Sequence, residues 1–267
     1  MTGFDPRNAG VVVTGSGAGI GAALASALAA AGARVVVADL DADGVTRTVD
    51  AITAAGGTAY PVPGDAASEA GVAALVATAR ERLGAIDAWF ANAGVDRGRG
   101  IEASESDWDL SWQVNVMAHV RAARLLVPDW AAAGRGRFVV TASAAGLLTM
   151  LDAPAYSVTK HGAVAFAEWL SATYRHRGVV VQAICPQGVQ TRMLDDSGPL
   201  KDLLSRDTAL TAEQVAEQTV AALAGDELLI LPHPEVRDYY QARAAAPDRW
   251  LAGMNKIQRR LEQKEGR

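Results

Sequence analysis

Short apolar, β-branched runs alternate with longer stretches of helical spacing along nearly all of this 267-residue chain, and that alternation restricts the fold more than any other feature. The runs are Val11–Thr14, Arg34–Ala38, Thr58–Val62, Ile86–Ala91, Arg137–Ala142, Val179–Ile184 and Leu228–Leu231. Continuous apolar runs of this length read as strands buried on both faces. The stretches between them are Ile20–Ala31, Ala42–Ala55, Ser68–Leu83, Asp107–Ala133, Ala155–Arg177 and Ala212–Ala224. Gly32, Gly56, Gly84, Gly134, Gly178 and Gly225 stand just past these helices, where a left-handed residue closes a helix. Thr211 with Gln214 reads as a capping box. Strands that alternate with helices imply βαβ units and a parallel sheet. The expectation is an α/β, doubly wound, Rossmann-like fold: a seven-stranded parallel sheet with helices on both faces. No repeat and no composition break divides the chain, so residues 1–267 read as one domain.

Composition narrows the partners. Hydrophobic residues make up 50% and charged residues 21%, which is enough apolar material for a sizeable core. A net charge of -5 gives no reason to expect nucleic acid or an anionic membrane surface. The single cysteine, Cys185, excludes an intrachain disulfide and reads as a small core residue. His119, His161, His176 and His233 form no pair at metal-ligand spacing, so no metal is expected and each reads as structural or solvated. The polar start Met1 to Asn8 lacks a signal-peptide layout, and no run of about 18 apolar residues exists. A soluble, cytoplasmic protein is the expectation.

Val11 to Gly21 runs from a strand through a glycine-rich turn into a helix. Glycines let the main chain approach a pyrophosphate, and the helix start offers free N–H groups and a partial positive charge. The best match is Gly15, Gly19 and Gly21, in a Thr-Gly-x-x-x-Gly-x-Gly pattern that begins at Thr14. Asp39 ends the second strand, twenty residues after Gly19. A carboxylate there accepts hydrogen bonds from an adenosine ribose and repels a 2′-phosphate. No Arg or Lys stands at Ser16, Gly17 or Ala18, and Leu40 follows Asp39, so NAD is favoured over NADP. The competing reading of Asp39 is a helix N-cap.

Tyr156 and Lys160 lie four residues apart and point from one helix face. A free tyrosine, with a pKa of about 10, is a poor base at neutral pH, and a nearby ammonium is expected to lower that value. Ser143 stands thirteen residues before Tyr156, at the end of a strand.

With these residues in place the chain resembles the short-chain dehydrogenase/reductase family from Gly10 to Leu231. Thr14-Gly15 to Gly21 looks like that family's cofactor loop, with Ser16, Gly17 and Ile20 in it. Asp65, next to Ala66, looks like its adenine-side aspartate, and Asn92-Ala93-Gly94 like its motif after the fourth strand. Asn115, Ser143, Tyr156 and Lys160 match its catalytic residues. Pro186, Val189 and Thr191 match its motif at the nicotinamide end. The resemblance implies that Tyr156 is the acid/base and that Ser143 hydrogen-bonds the substrate oxygen. It implies that Lys160 tunes Tyr156 and binds the ribose, and that Asn115 holds a relay water through its main chain. It also implies NAD as cofactor, an alcohol or carbonyl substrate and a homo-oligomer, a tetramer or dimer. The chain departs from the family at Gln187, where glycine is common, and at Ala91, where a second asparagine is frequent. Gln187 either touches substrate or faces solvent.

Residues 191–208 read as a lid, and residues 234–267 as an amphipathic extension that covers either a substrate pocket or a neighbouring subunit. The segment after Ser143, with Ala145 and Met150, and the lid residue Met193 suggest a small to medium, largely apolar alcohol or ketone. The alternative is a non-catalytic dinucleotide sensor on the same fold. A Rossmann-like methyltransferase has no use for Tyr156 and Lys160 at this spacing.

Overall fold

The computed structural model describes residues 3–195 and 209–265. In chain order the first half runs β1 (Gly10–Thr14), α1 (Gly19–Ala30), β2 (Arg34–Asp39), α2 (Ala42–Ala54), β3 (Thr58–Pro63), α3 (Glu69–Leu83) and β4 (Ala88–Ala91). Then come α4 (Glu105–Trp112), a π-helical turn (Gln113–Met117), α5 (Ala118–Ala133), β5 (Gly136–Thr141), α6 (Ala145–Leu148), α7 (Pro154–Tyr174) and β6 (Val179–Ile184). The remainder is β7 (Val189–Gln190), α8 (Arg192–Asp195), β8 (Leu210–Thr211), α9 (Ala212–Ala222), β9 (Leu229–Ile230), α10 (Glu235–Ala245) and α11 (Pro247–Glu265).

Seven strands form one sheet in the order β3-β2-β1-β4-β5-β6-β9, with every pair parallel. β7 and β8 pair separately. The expected seven-stranded parallel sheet is present. Strand alternation splits the core in two. Val12 and Val36 join Trp89 and Phe138 on the face covered by α3, α5 and α7. Val11, Val13, Val35 and Val37 join Leu24, Leu28 and Val215 on the face covered by α1 and α9. The chain leaves β1 toward β2 and β3, then returns to β4 on the other side of β1. That reversal opens a crevice at the carboxyl ends of β1 and β4, which is where such sheets bind ligands. Among the described residues no helix is long and apolar enough to cross a membrane.

Two expectations change. The single helix expected over 107–133 is two helices joined by a π-helical turn, opened by a Ser104–Asp107 capping box. Gly32, Gly56, Gly84, Gly134 and Gly178 take positive φ, but Gly225 does not. α9 ends instead on Leu223 in the right-handed region, and the Gly225 carbonyl accepts from buried Arg137 at 3.2 Å. The expected Thr211–Gln214 capping box is present. Most of the expected lid, 196–208, lies outside the described residues.

Candidate active site

The glycine loop is shaped by close backbone contact. Gly15 and Gly19 take φ of 64° and 54°, a region that favours glycine. A Cβ on Gly15 would lie 2.7 Å from the Cα of Ala93, and one on Gly21 would lie 2.0 Å from the Gly15 carbonyl oxygen. Gly21→Ala therefore has no room against backbone. It is expected to cost about 1–3 kcal/mol, or a fall in Tm of about 2–4 °C per kcal/mol. Thermal melts followed by circular dichroism read this directly, and an unchanged Tm would show that the loop yields.

Asn92 locks β1 to β4. Its Nδ2 donates to the carbonyls of Thr14 and Gly15 at 3.0 and 3.1 Å. The backbone N–H groups of Asn92 and Ala93 donate to Thr14 Oγ1 at 3.0 and 3.1 Å. Asp39 faces the loop: its Oδ2 accepts from Gly17 N–H at 2.9 Å. The N-cap position of α2 is Asp41, so Asp39 is not that cap. Ser16 and Gly17, also placed in the cofactor loop, sit behind it. Neither lines the cavity. The Ser16 hydroxyl is buried against the strands, donating to Val13 carbonyl at 2.7 Å and accepting from Ala38 N–H at 2.9 Å. The Gly17 N–H is spent on Asp39. Asp65 accepts from Ala67 and Ser68 N–H at 2.7 and 3.2 Å, and hydrogen bonding from Ser68 holds its carboxyl below the usual range.

The reactive cluster comes from three elements. α7 carries Tyr156 and Lys160 on one face, 9% and 3% exposed. Lys160 Nζ lies 5.5 Å from the Tyr156 ring centroid and donates to the Thr141 carbonyl at 2.8 Å. Ser143, just beyond β5, accepts from Ala145 N–H at 3.0 Å. Burial pushes the Tyr156 phenol up to about 12, against a hydrogen bond from Ser143 that works downward. Burial also pulls the Lys160 ammonium down to about 8. The phenol therefore shifts upward, opposite to the lowering expected from Lys160, because desolvation of the buried group dominates. Asp96 acts upward on both groups, adding to the shift of Tyr156 and opposing that of Lys160, while Arg99 grips its carboxylate at 2.7 and 3.0 Å.

Asn115 sits in the π-helical turn and is fully buried. Its Nδ2 donates to the Val95 carbonyl at 2.9 Å and to Thr159 Oγ1 at 3.0 Å, and its Oδ1 accepts from Val95 N–H at 2.9 Å. The side chain clamps the loop after β4 and spends both of its N–H donors there. A Cβ on Gly94 would lie 3.2 Å from Lys160 Nζ and 3.3 Å from Asn115 Oδ1, so this glycine is the close-packed hub of the cluster. One helical turn past Asn115, buried His119 is held near 3 by desolvation and so stays neutral.

The turn after β6 completes the wall. The Pro186 carbonyl accepts from Ala144 N–H at 2.8 Å, tying this turn to the Ser143 loop. His233 Nδ1 accepts from Gln187 N–H, and its Nε2 faces the Gly188 carbonyl, both at 3.1 Å. An acceptor at Nδ1 places the proton on Nε2, so the neutral tautomer satisfies both contacts. His233 was open between structural and solvated; it is structural, and its partners some 45 residues away left no local signal. Ala91 is a buried strand residue. Ile20, Leu40, Ala66, Ala145, Met150, Gln187, Val189, Thr191 and Met193 all line the cavity, as do the four catalytic candidates except Asn115.

That cavity measures about 1370 Å³. Asp39 and Asp65 bound it on the β2–β3 side. Tyr156, Lys160 and Ser143 lie at its middle, and Tyr239, Trp250, Met254 and Ile257 bound it on the β6–β9 side. The amphipathic extension therefore covers this chain's own pocket. A match to the short chain dehydrogenase family spans residues 9–201. The chain belongs to that family. It is 35% identical over 230 residues to the 1-deoxy-11-beta-hydroxypentalenate dehydrogenase of Streptomyces exfoliatus, covering 85% of this chain and 83% of that protein. It is 31% identical over 189 residues to the cyclohexanol dehydrogenase of Acinetobacter sp. (strain SE19), covering 70% and 75%. A crystal structure of a short chain dehydrogenase/reductase from Burkholderia phymatum in complex with NAD superposes with a TM-score of 0.85 at 30% identity, covering 92% of this chain and 96% of that one. As a member of this short-chain dehydrogenase family, the chain is an oxidoreductase. The glycine-lined cradle, closed to any Cβ at Gly15 and Gly21, is of the kind that takes a dinucleotide.

Proposed function

We propose that this oxidoreductase moves a hydride between NAD(H) and a small to medium, largely apolar secondary alcohol or ketone, with Tyr156 as acid/base. The observation that carries the reading is convergence. One cavity has the glycine cradle and Asp39 on one side and Tyr156, Ser143 and Lys160 at its middle. The relatives named as dehydrogenases of cyclohexanol and of a hydroxypentalenate, and the solved relative in complex with NAD, support it.

The geometry is compatible with the following roles. Gly15, Gly19 and Ile20 hold the pyrophosphate at the start of α1. Asp39 accepts from the adenosine ribose hydroxyls, and Asn92, Ala93, Pro186, Val189 and Thr191 bound the nicotinamide half. A bound NAD supplies the hydride acceptor together with a positive charge. In the reducing direction the Tyr156 phenol, protonated at neutral pH, gives its proton to the carbonyl oxygen as negative charge grows there. Ser143 donates a second hydrogen bond to that oxygen. Lys160, which donates to the Thr141 carbonyl beside the Tyr156 ring, would hold the nicotinamide ribose, and its charge would steady the phenolate left when Tyr156 gives up its proton. Asn115 has both side-chain donors committed, and the relay water is assigned to its main chain, in a turn where π-helical pairing shifts the carbonyls.

Purified protein with NAD and a panel of alcohols, followed by the absorbance of NADH, tests the reaction; inactivity toward every secondary alcohol and ketone would refute it. The cofactor assignment has its own test. Asp39→Ala is expected to raise the KM for NAD by about 10- to 100-fold, the loss of hydrogen bonds to a charged acceptor, and to narrow the preference over NADP. Equal use of NADP by the unaltered protein would remove the role given to Asp39.

A further inference from the structure

We infer that the substrate is a bulky apolar hydroxy or oxo acid, its carboxylate held at the cavity rim by Arg97 and Arg249. The inference rests on the reading of Tyr156 as acid/base and names the substrate class for it.

Size is the first ground. Pockets for one drug-sized ligand measure about 300–1,000 Å³, whereas this cavity measures about 1370 Å³, a size that suits a second molecule beside a dinucleotide. The second ground is the wall. Trp250, Gly253, Met254 and Ile257 follow one another at helical intervals and line the cavity from one face of α11, and the Tyr239 ring packs 6.3 Å from that of Trp250. This wall lies beyond residues 9–201, the span of the family match. A face of that kind suits a hydrocarbon body larger than a single ring.

Charge is the third ground. Among the described residues, the carboxylates that line the cavity are Asp39 and Asp65 on the distant β2–β3 side and Asp96, already neutralised by Arg99. Arg97 is the residue next to Asp96, and Arg249 precedes Trp250 on α11. Both line the cavity, both are exposed, and neither makes an ion pair among the described residues. Arg243 nearby is committed to the Leu147 carbonyl. Two uncommitted guanidinium groups at the edge of an apolar chamber favour a planar carboxylate, which a guanidinium binds through paired hydrogen bonds.

The test measures binding to the full chain saturated with NADH, by calorimetry. The probes are lithocholate and hydroxycyclohexanecarboxylate, each beside its methyl ester. Lithocholate is expected to bind at least about tenfold tighter than its ester, and tighter than the single-ring acid. Added salt should shrink the acid–ester gap. The Arg97→Gln, Arg249→Gln double variant should bring the acid down to the ester's level. Equal affinity of acid and ester, an acid preference that survives the double variant, binding of neither probe, or tighter binding of the single-ring acid would each overturn the inference. Turnover separates the two claims. Oxidation of esters without an acid preference leaves the oxidoreductase reading standing and removes the anion site. An acid preference with no oxidation of any alcohol does the opposite.

Discussion

Tyr156→Phe is expected to lower kcat by about 10²–10⁴-fold, the usual contribution of a positioned acid/base, while NADH still binds and the protein melts close to the unaltered temperature. The ring is held by Ala145, Ala153 and Met150, and the substitution leaves those contacts in place. Only the hydroxyl goes, and with it the proton that meets the substrate oxygen. The phenol sits at about 12 with Ser143 beside it, so at neutral pH it is a loaded donor. Steady-state kinetics with calorimetry of NADH binding separates chemistry from cofactor affinity. Activity within tenfold of the unaltered protein would take the acid/base role away from Tyr156.

Lys160→Met is expected to divide function from stability. Activity should fall by about 100-fold or more, because the ammonium beside Tyr156 is lost. The apoprotein near pH 7, in contrast, should become more stable. Burial lowers Lys160 from 10.5 to about 8, a penalty on the order of 3 kcal/mol against the charged form, and the lost hydrogen bond to Thr141 returns about 1. Methionine has similar length and carries no charge to desolvate. The sign fixes the pH window. The unfolded chain keeps this proton up to about 10.5, whereas the folded chain releases it near 8, so the unaltered protein gains stability as pH rises between those values. The advantage of the variant should therefore be full below pH 8 and shrink toward pH 10.5. Denaturant melts of both proteins at pH 7 and pH 10 measure it. A variant that is less stable at pH 7 would mean the cavity solvates the ammonium better than its burial implies.

The same lysine shows where local reading stops. The spacing of Tyr156 and Lys160 on one helical face was legible, since helical periodicity is written in adjacent residues. The direction of the phenol's shift was not. It depends on how much water the surrounding walls exclude, and those walls come from α7, the Ser143 loop and the chain after β4, which are far apart in sequence. Ser16 makes the same point. Its place in the glycine loop was legible, but the partners of its hydroxyl, the Val13 carbonyl and the Ala38 N–H, were not, because Ala38 lies on the next strand.

The chain's order of strands and helices, the glycine cradle, Asp39 at the end of β2 and the pairing of Tyr156 with Lys160 were determined by sequence alone. Each rests on short-range geometry: side-chain alternation in strands, helical periodicity, or backbone angles that favour glycine. Tertiary structure alone decided that Asn115 lies in a π-helical turn with both amide donors spent on Val95 and Thr159, and that His233 pins the turn after β6. It also decided that α11 lays Trp250, Met254 and Ile257 over this chain's own cavity, the choice that sequence left open between a pocket and a neighbouring subunit. These outcomes depend on which surfaces meet across long stretches of chain, and burial and contact at such distances leave no periodic signature in the residues themselves.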